Sequence, residues 1–129
     1  MMAKDRPPLA KSELEVARIV WQLGEATVRQ VHEALPDDRD LDFWTVQTYL
    51  RRLREKGYLT ATRRGQGNVY APAVKPGKVI GELTDDFLDR LFDGEALPLV
   101  QHLIDAHRLS ADDIELLQRR LEELKGGEK

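Results

Sequence analysis

The hydrophobic period changes at Gly57, and that change limits what the first part of the chain can build. Before Gly57, apolar residues recur at helical spacing in three short runs. After it, strand-forming residues lie on either side of a glycine-rich turn. Ser12 with Glu15 fits a capping box, so a first helix is expected to open there and stop at Gly24. Leu14, Ala17, Val20 and Trp21 give that helix an apolar face, widened by Val16, Ile19 and Leu23. Thr27 with Gln30 is a second capping box. Val28, Val31, Ala34 and Leu35 form the buried side of this helix, and Pro36 ends it. Asp42 is placed to cap a third helix running to about Lys56.

The third helix has two different faces. Val46, Tyr49, Leu50 and Leu53 point one way; Trp44, Gln47, Thr48, Arg51 and Glu55 point the other; Thr45, Arg52 and Arg54 lie on the borders. Tyr58 to Arg64 reads as a strand, Gly65-Gln66-Gly67 as a turn, and Asn68-Val69-Tyr70 as a short return strand stopped by Pro72. Three short helices followed by a hairpin is winged-helix order. The expected fold is therefore mainly α with a small β-hairpin: a loose N-terminal arm over 1–10, a winged helix-turn-helix over 11–73, a Pro-Gly linker over 74–78 and a helical segment over 79–125.

In that last segment Ile80, Leu83, Phe87, Leu88 and Leu91 form a stripe ending at Asp93-Gly94. Pro98 suits the first turn of a second helix carrying Leu97, Val100, Leu103 and Ile104. Ser110 caps a third helix, with Ile114, Leu117, Leu121 and Leu124 on one side. So small a segment cannot bury that much apolar surface on its own, so a homodimer is expected. Its expected interface residues are Ile80, Leu83, Phe87, Leu91, Val100, Leu117 and Leu121. Packing of these residues back onto the winged helix is the competing reading.

Charge is distributed unevenly. The whole chain carries −3, but residues 1–42 carry −3, residues 43–78 carry +7 and residues 79–129 carry −7. A cationic block between two anionic ones suggests a surface for a polyanion, with a solvated charged face as the alternative. The major groove of DNA admits one α-helix, and short polar side chains near that helix's start can reach base edges. Thr45, Gln47 and Thr48, followed by Arg51, Arg52 and Arg54, fit that layout, with pairing to acids of a neighbouring helix as the alternative for Arg54. Arg63 and Arg64 beside the hairpin turn are placed for a flanking phosphate or minor groove, and the helix start at Thr27 for a phosphate. Trp44 either packs under the helix start or lies at the groove. The expected partners are therefore a double-stranded DNA operator and a second copy of the chain. The rival reading is a winged-helix protein-interaction module that does not touch DNA.

Other classes find little support. The chain has no cysteine, which excludes disulfides, thiolate metal sites and a cysteine nucleophile. His32, His102 and His107 are the only histidines, and no H-E-x-x-H, phosphate loop or nucleophile motif is present. A site made of His102, Asp105 and His107 is the one conceivable zinc arrangement; the expectation is no cofactor, no metal and no enzyme. No apolar run reaches the ~20 residues a membrane helix needs, and residues 1–9 lack a signal-type stretch, so a cytoplasmic protein without membrane insertion is expected.

Four runs carry a family resemblance: Ser12 to Val16 with Ile19-Val20-Trp21, Thr45 to Leu53, Lys56 to Leu59, and Leu88 to Gly94. In this order and with these gaps, the chain from about 9 to 124 resembles the BlaI/MecI/CopY, or penicillinase-repressor, family of bacterial transcriptional repressors. The resemblance implies a homodimer that binds a palindromic operator, with the threonine, glutamine and arginine positions of the third helix reading it. The copper-responsive members carry a cysteine pair motif that is absent here. The β-lactam-responsive members are released by proteolysis at an Asn-Phe bond, where this chain has His102-Leu103. That pair is the candidate cleavage position for a regulatory membrane protease. The family has Lys or Arg where Trp44 stands.

Overall fold

In the computed structural model, which describes residues 6–127, the elements run α1 (Lys11–Leu23), β1 (Ala26–Thr27), α2 (Val28–Ala34), α3 (Phe43–Glu55), β2 (Leu59–Arg64), β3 (Gly67–Pro72), α4 (Pro76–Phe92), α5 (Ala96–Asp105) and α6 (Ala111–Gly127). The three expected N-terminal helices are present, and so is the hairpin. β2 and β3 pair antiparallel with Arg64 opposite Gly67, which leaves Gly65-Gln66 as a two-residue turn. Gly65 has φ +60° and Gln66 stays out of the positive region, the pattern of a type II′ turn. β1 pairs with the far side of β3, Ala26 opposite Tyr70 and Thr27 opposite Val69, giving the order β1-β3-β2. The sequence reading missed β1, because two residues are too few to show alternation.

The first core lies between α1, α2, α3 and this sheet. Val16, Ala17, Val20, Val31, Val46, Leu50 and Leu53 are fully buried, with Leu59, Tyr70 and Val79 closing the edges. Each large apolar side chain taken from water contributes about 1.5–3 kcal/mol. α3 ends in a Schellman motif. The Tyr58 N–H donates to the Leu53 carbonyl at 2.9 Å and the Gly57 N–H to the Arg54 carbonyl at 3.1 Å, with Gly57 at φ +91°. That sharp turn drives Tyr58 inward.

Three expectations need correction. First, α1 is not capped by Ser12 and Glu15. It starts at Lys11 with Ala10 as N-cap, and the Glu13 Oε1 accepts the Ala10 N–H at 2.9 Å. Glu13 is preferred because it lies on the buried face, where its carboxylate also receives the Lys56 ammonium at 2.5 Å. Second, residues 6–10 are not a loose arm. The Tyr58 hydroxyl donates to the Pro7 carbonyl at 2.7 Å and the Lys56 Nζ to the Pro8 carbonyl at 2.9 Å. Arg6 lies over the Tyr58 ring and pairs with Glu82 at 2.6 Å. Residues 1–5 of the expected arm lie outside the described residues. Third, Pro76, Gly77 and Lys78 are not linker but the first turn of α4, since proline needs no N–H partner there. The chain divides into two units between Glu82 and Leu83, so Val79 is buried in the first unit.

The second unit holds the rest of α4, with α5 and α6. Neither α5 nor α6 contains a buried residue. Among the described residues no helix is long and apolar enough to cross a membrane.

Burial acts to raise the Glu13 pKa, but hydrogen bonds from Lys56 and Ala10 and the charges of Lys56 and Arg52 outweigh it, leaving the carboxyl below its ordinary 4.5. Because the folded value is depressed, the stability this group contributes is complete above pH 4.5 and is lost as pH falls through the folded value. Lys56→Met leaves a buried carboxylate unpaired and should cost on the order of 3 kcal/mol at pH 7 in urea unfolding. The gap between parent and variant should shrink as the pH is lowered from 7 and close as it passes through the parent's depressed folded value.

Candidate nucleic-acid interface

Burial of Val46, Leu50 and Leu53 fixes the rotation of α3, so the residues opposite them face outward. Trp44, Thr48, Arg51 and Glu55 follow at spacings of four, three and four and form the outermost line. Gln47 and Arg54 flank it on one side, Thr45 and Arg52 on the other. Arg51, Arg52 and Arg54 are exposed, while Thr45, Gln47 and Thr48 are half-buried. The charge of Arg52 reaches Glu13 and helps hold its carboxyl low.

Both ends of the line are held. The Asp42 carboxylate accepts the Thr45 N–H at 2.8 Å. Hydrogen bonds from the Thr45 backbone and then its side chain keep the Asp42 carboxyl below its ordinary 3.8. At the other end, Lys56 ties the C-cap to α1 through Glu13. The Thr48 hydroxyl donates to the Trp44 carbonyl at 3.0 Å. Its proton is thereby used, and its lone pairs are left to accept from an amino group of adenine or cytosine.

The other expected DNA contacts are distributed around α3. Arg63 and Arg64 are exposed at the tip of β2. The Arg64 guanidinium is shared with Glu25 at 3.0 and 3.5 Å, a solvent-exposed pair that adds little stability. Thr27 is the N-cap of α2. Its N–H donates to the Gln30 Oε1 at 2.9 Å and its Oγ1 accepts the Gln30 N–H at 3.1 Å. The Thr27 backbone N–H is therefore already used, which leaves its hydroxyl proton as what it can offer a phosphate. Trp44, left between two readings by the sequence, is 72% exposed.

Sequence reasoning missed Glu13, Lys56, Arg6 and Tyr58, which hold α3 in place without lying on its outer face. One signal was available: Glu13 stands three, four and seven residues before Val16, Ala17 and Val20, a charge on an apolar stripe. No group of three or more His, Asp or Glu side chains is arranged to hold a metal among the described residues. His102 is exposed and Leu103 half-buried, both within α5. Of the expected dimer residues, Ile80, Phe87, Leu91, Val100, Leu117 and Leu121 are exposed, and Leu83 is half-buried.

A family profile described as penicillinase repressor matches residues 9–123. The penicillinase repressor of Bacillus licheniformis is 29% identical over 126 residues, 98% of each chain. The transcriptional regulator BlaI of Mycobacterium tuberculosis is 36% identical over 121 residues, 92% of this chain and 86% of that one. Among solved structures, the DNA binding domain of the repressor BlaI superposes with a TM-score of 0.51 at 29% identity, over 58% of this chain and 92% of that one.

Asp42→Ala should lower the melting temperature by a few degrees at pH 7, while Asp42→Asn, which keeps a cap acceptor, should be near neutral. The carboxyl's folded pKa is depressed, so its contribution is present above pH 3.8 and disappears as pH falls through the folded value. A melting series from pH 7 to pH 3 checks both points.

Proposed function

The chain belongs to the penicillinase-repressor family, and on that premise we propose that it is a sequence-specific DNA-binding transcriptional repressor, acting as a homodimer on a palindromic operator. One observation carries the DNA reading. The buried side of α3 is sealed, and the opposite side presents Thr48 and Arg51 to solvent between Gln47 and Arg52. A helix so held can enter the major groove while Arg63 and Arg64 reach the flanking backbone. The role is that of a cytoplasmic binding protein with no catalytic step and no cofactor.

The homodimer rests on the second unit. Leu91, Leu97, Leu121 and Leu124 each leave more than half their surface in water, and no residue of α5 or α6 is fully buried. A second copy is the occupant that would cover such a surface, and two linked winged helices would then meet half-sites one helical turn or a multiple apart. The net −7 of residues 79–129 keeps this unit off the duplex. Release by a membrane protease at His102-Leu103 would need α5 to open first, because both residues lie within the helix.

A salt series on a palindromic duplex tests the DNA reading. Log affinity should fall linearly with log salt, by about 0.9 per phosphate neutralised, whereas a flat response would favour a protein-interaction module. Thr48→Ala and Arg51→Ala should each cost roughly 1–3 kcal/mol on the specific site, and Arg63→Ala should weaken specific and non-specific binding alike. Sedimentation tests the assembly: the parent should run as a dimer and a Leu117→Asp, Leu121→Asp double variant as a monomer. An unchanged dimer would move the interface elsewhere.

A further inference from the structure

Trp44 has the most exposed large apolar side chain in the described structure, 72% open to solvent. Its position is braced. The Phe43 ring meets the indole edge-on at 5.9 Å and 89°. The His32 ring meets Phe43 at 6.2 Å. The His32 Nε2–H donates to the Leu41 carbonyl at 3.0 Å, tying α2 to the loop before α3. A row of three rings therefore supports an exposed indole at the second residue of α3, on the same line as Thr48 and Arg51.

Its surroundings narrow what it can touch. Asp42 has already taken the Thr45 N–H, and its negative charge sits at the helix start. That end of α3 therefore repels phosphate rather than binding it. The indole there has a single donor, its Nε1–H, and neutralises no phosphate; most of what it exposes is its apolar ring. The major groove offers one apolar group, the C5-methyl of thymine.

We propose that Trp44 is a specificity-determining residue that selects a T·A pair in each half-site by packing its indole against the thymine C5-methyl. This inference rests on the DNA-binding reading above. The contact differs in kind from an arginine contact: it adds affinity without neutralising a phosphate, so it leaves the salt slope unchanged.

The test starts with the full-length parent, used to enrich tight-binding duplexes from a random pool. Each thymine of the enriched duplex is then replaced by uracil, which removes only the methyl. Binding is measured with the parent, Trp44→Ala and Trp44→Lys across a range of salt concentrations. One thymine per half-site should lose about fourfold on conversion to uracil in the parent and show no loss in Trp44→Ala. Trp44→Ala should bind the parent duplex about tenfold more weakly with the same salt slope, and Trp44→Lys should recover affinity only with a steeper one. The uracil series on the parent needs no variant to fold. The inference is overturned if no uracil position affects the parent, if the two losses simply add, or if Trp44→Ala matches the parent. If the parent itself enriches no sequence and binds without salt dependence, the DNA reading falls, and this inference with it.

Discussion

The sealing of Val46, Leu50 and Leu53 against α1 and the sheet is the constraint on which the candidate interface depends. Rotating α3 away from that arrangement would expose three fully buried side chains, at a cost of several kcal/mol. The helix is thus fixed about its own axis, and the line from Trp44 to Glu55 follows from it. Its ends are fixed separately. Asp42 caps one, and at the other the Gly57 turn and the Lys56–Glu13 pair lock the C-terminus onto α1. A helix held at both ends and along one side loses little freedom when it enters a groove, which favours binding.

The cationic block is less uniform than its composition suggests. Arg64 is shared with Glu25, the charge of Arg52 acts on Glu13, and Lys56 is spent on Glu13 and the Pro8 carbonyl. Besides Lys75 and Lys78 further along the block, the remaining charge is carried by Arg51, Arg54 and Arg63. Between them the surface is neutral and hydrogen-bonding, or aromatic. Phosphate contacts position a protein on a duplex and base contacts specify the sequence, and this separation of charge from polar surface provides for both.

The two units bury apolar residues differently. The first closes a core from three helices and three strands, with residues 6–10 strapped across Tyr58 and Lys56. The second spreads its leucines along three helices with no buried residue in α5 or α6. This contrast between a closed core and leucines left in water is what the proposed homodimer rests on.

Much of this was legible in the sequence, because it depends on neighbours within one turn or one hairpin. The Thr27–Gln30 box, the Asp42 cap, the stop at Gly57 and the two faces of α3 are local, and local spacing specifies them. What failed depended on residues distant in the chain. Ser12 and Glu15 satisfied the capping pattern, whereas Ala10 has no side-chain acceptor and only the Glu13 half of a box is made. The difference is made by Lys56, which lies 43 residues beyond Glu13 and reaches it only once α3 has packed on α1. Pro7 and Pro8 carry no pattern that announces Tyr58 and Lys56 as their donors, and Ala26-Thr27 becomes a strand only because β3 is beside it. The sequence by itself determined which helices form and which side of each is apolar, since periodicity and capping act over a few residues. Only the tertiary structure decided which charges are spent inside the fold and which remain free, because ion pairs depend on distances that packing alone sets.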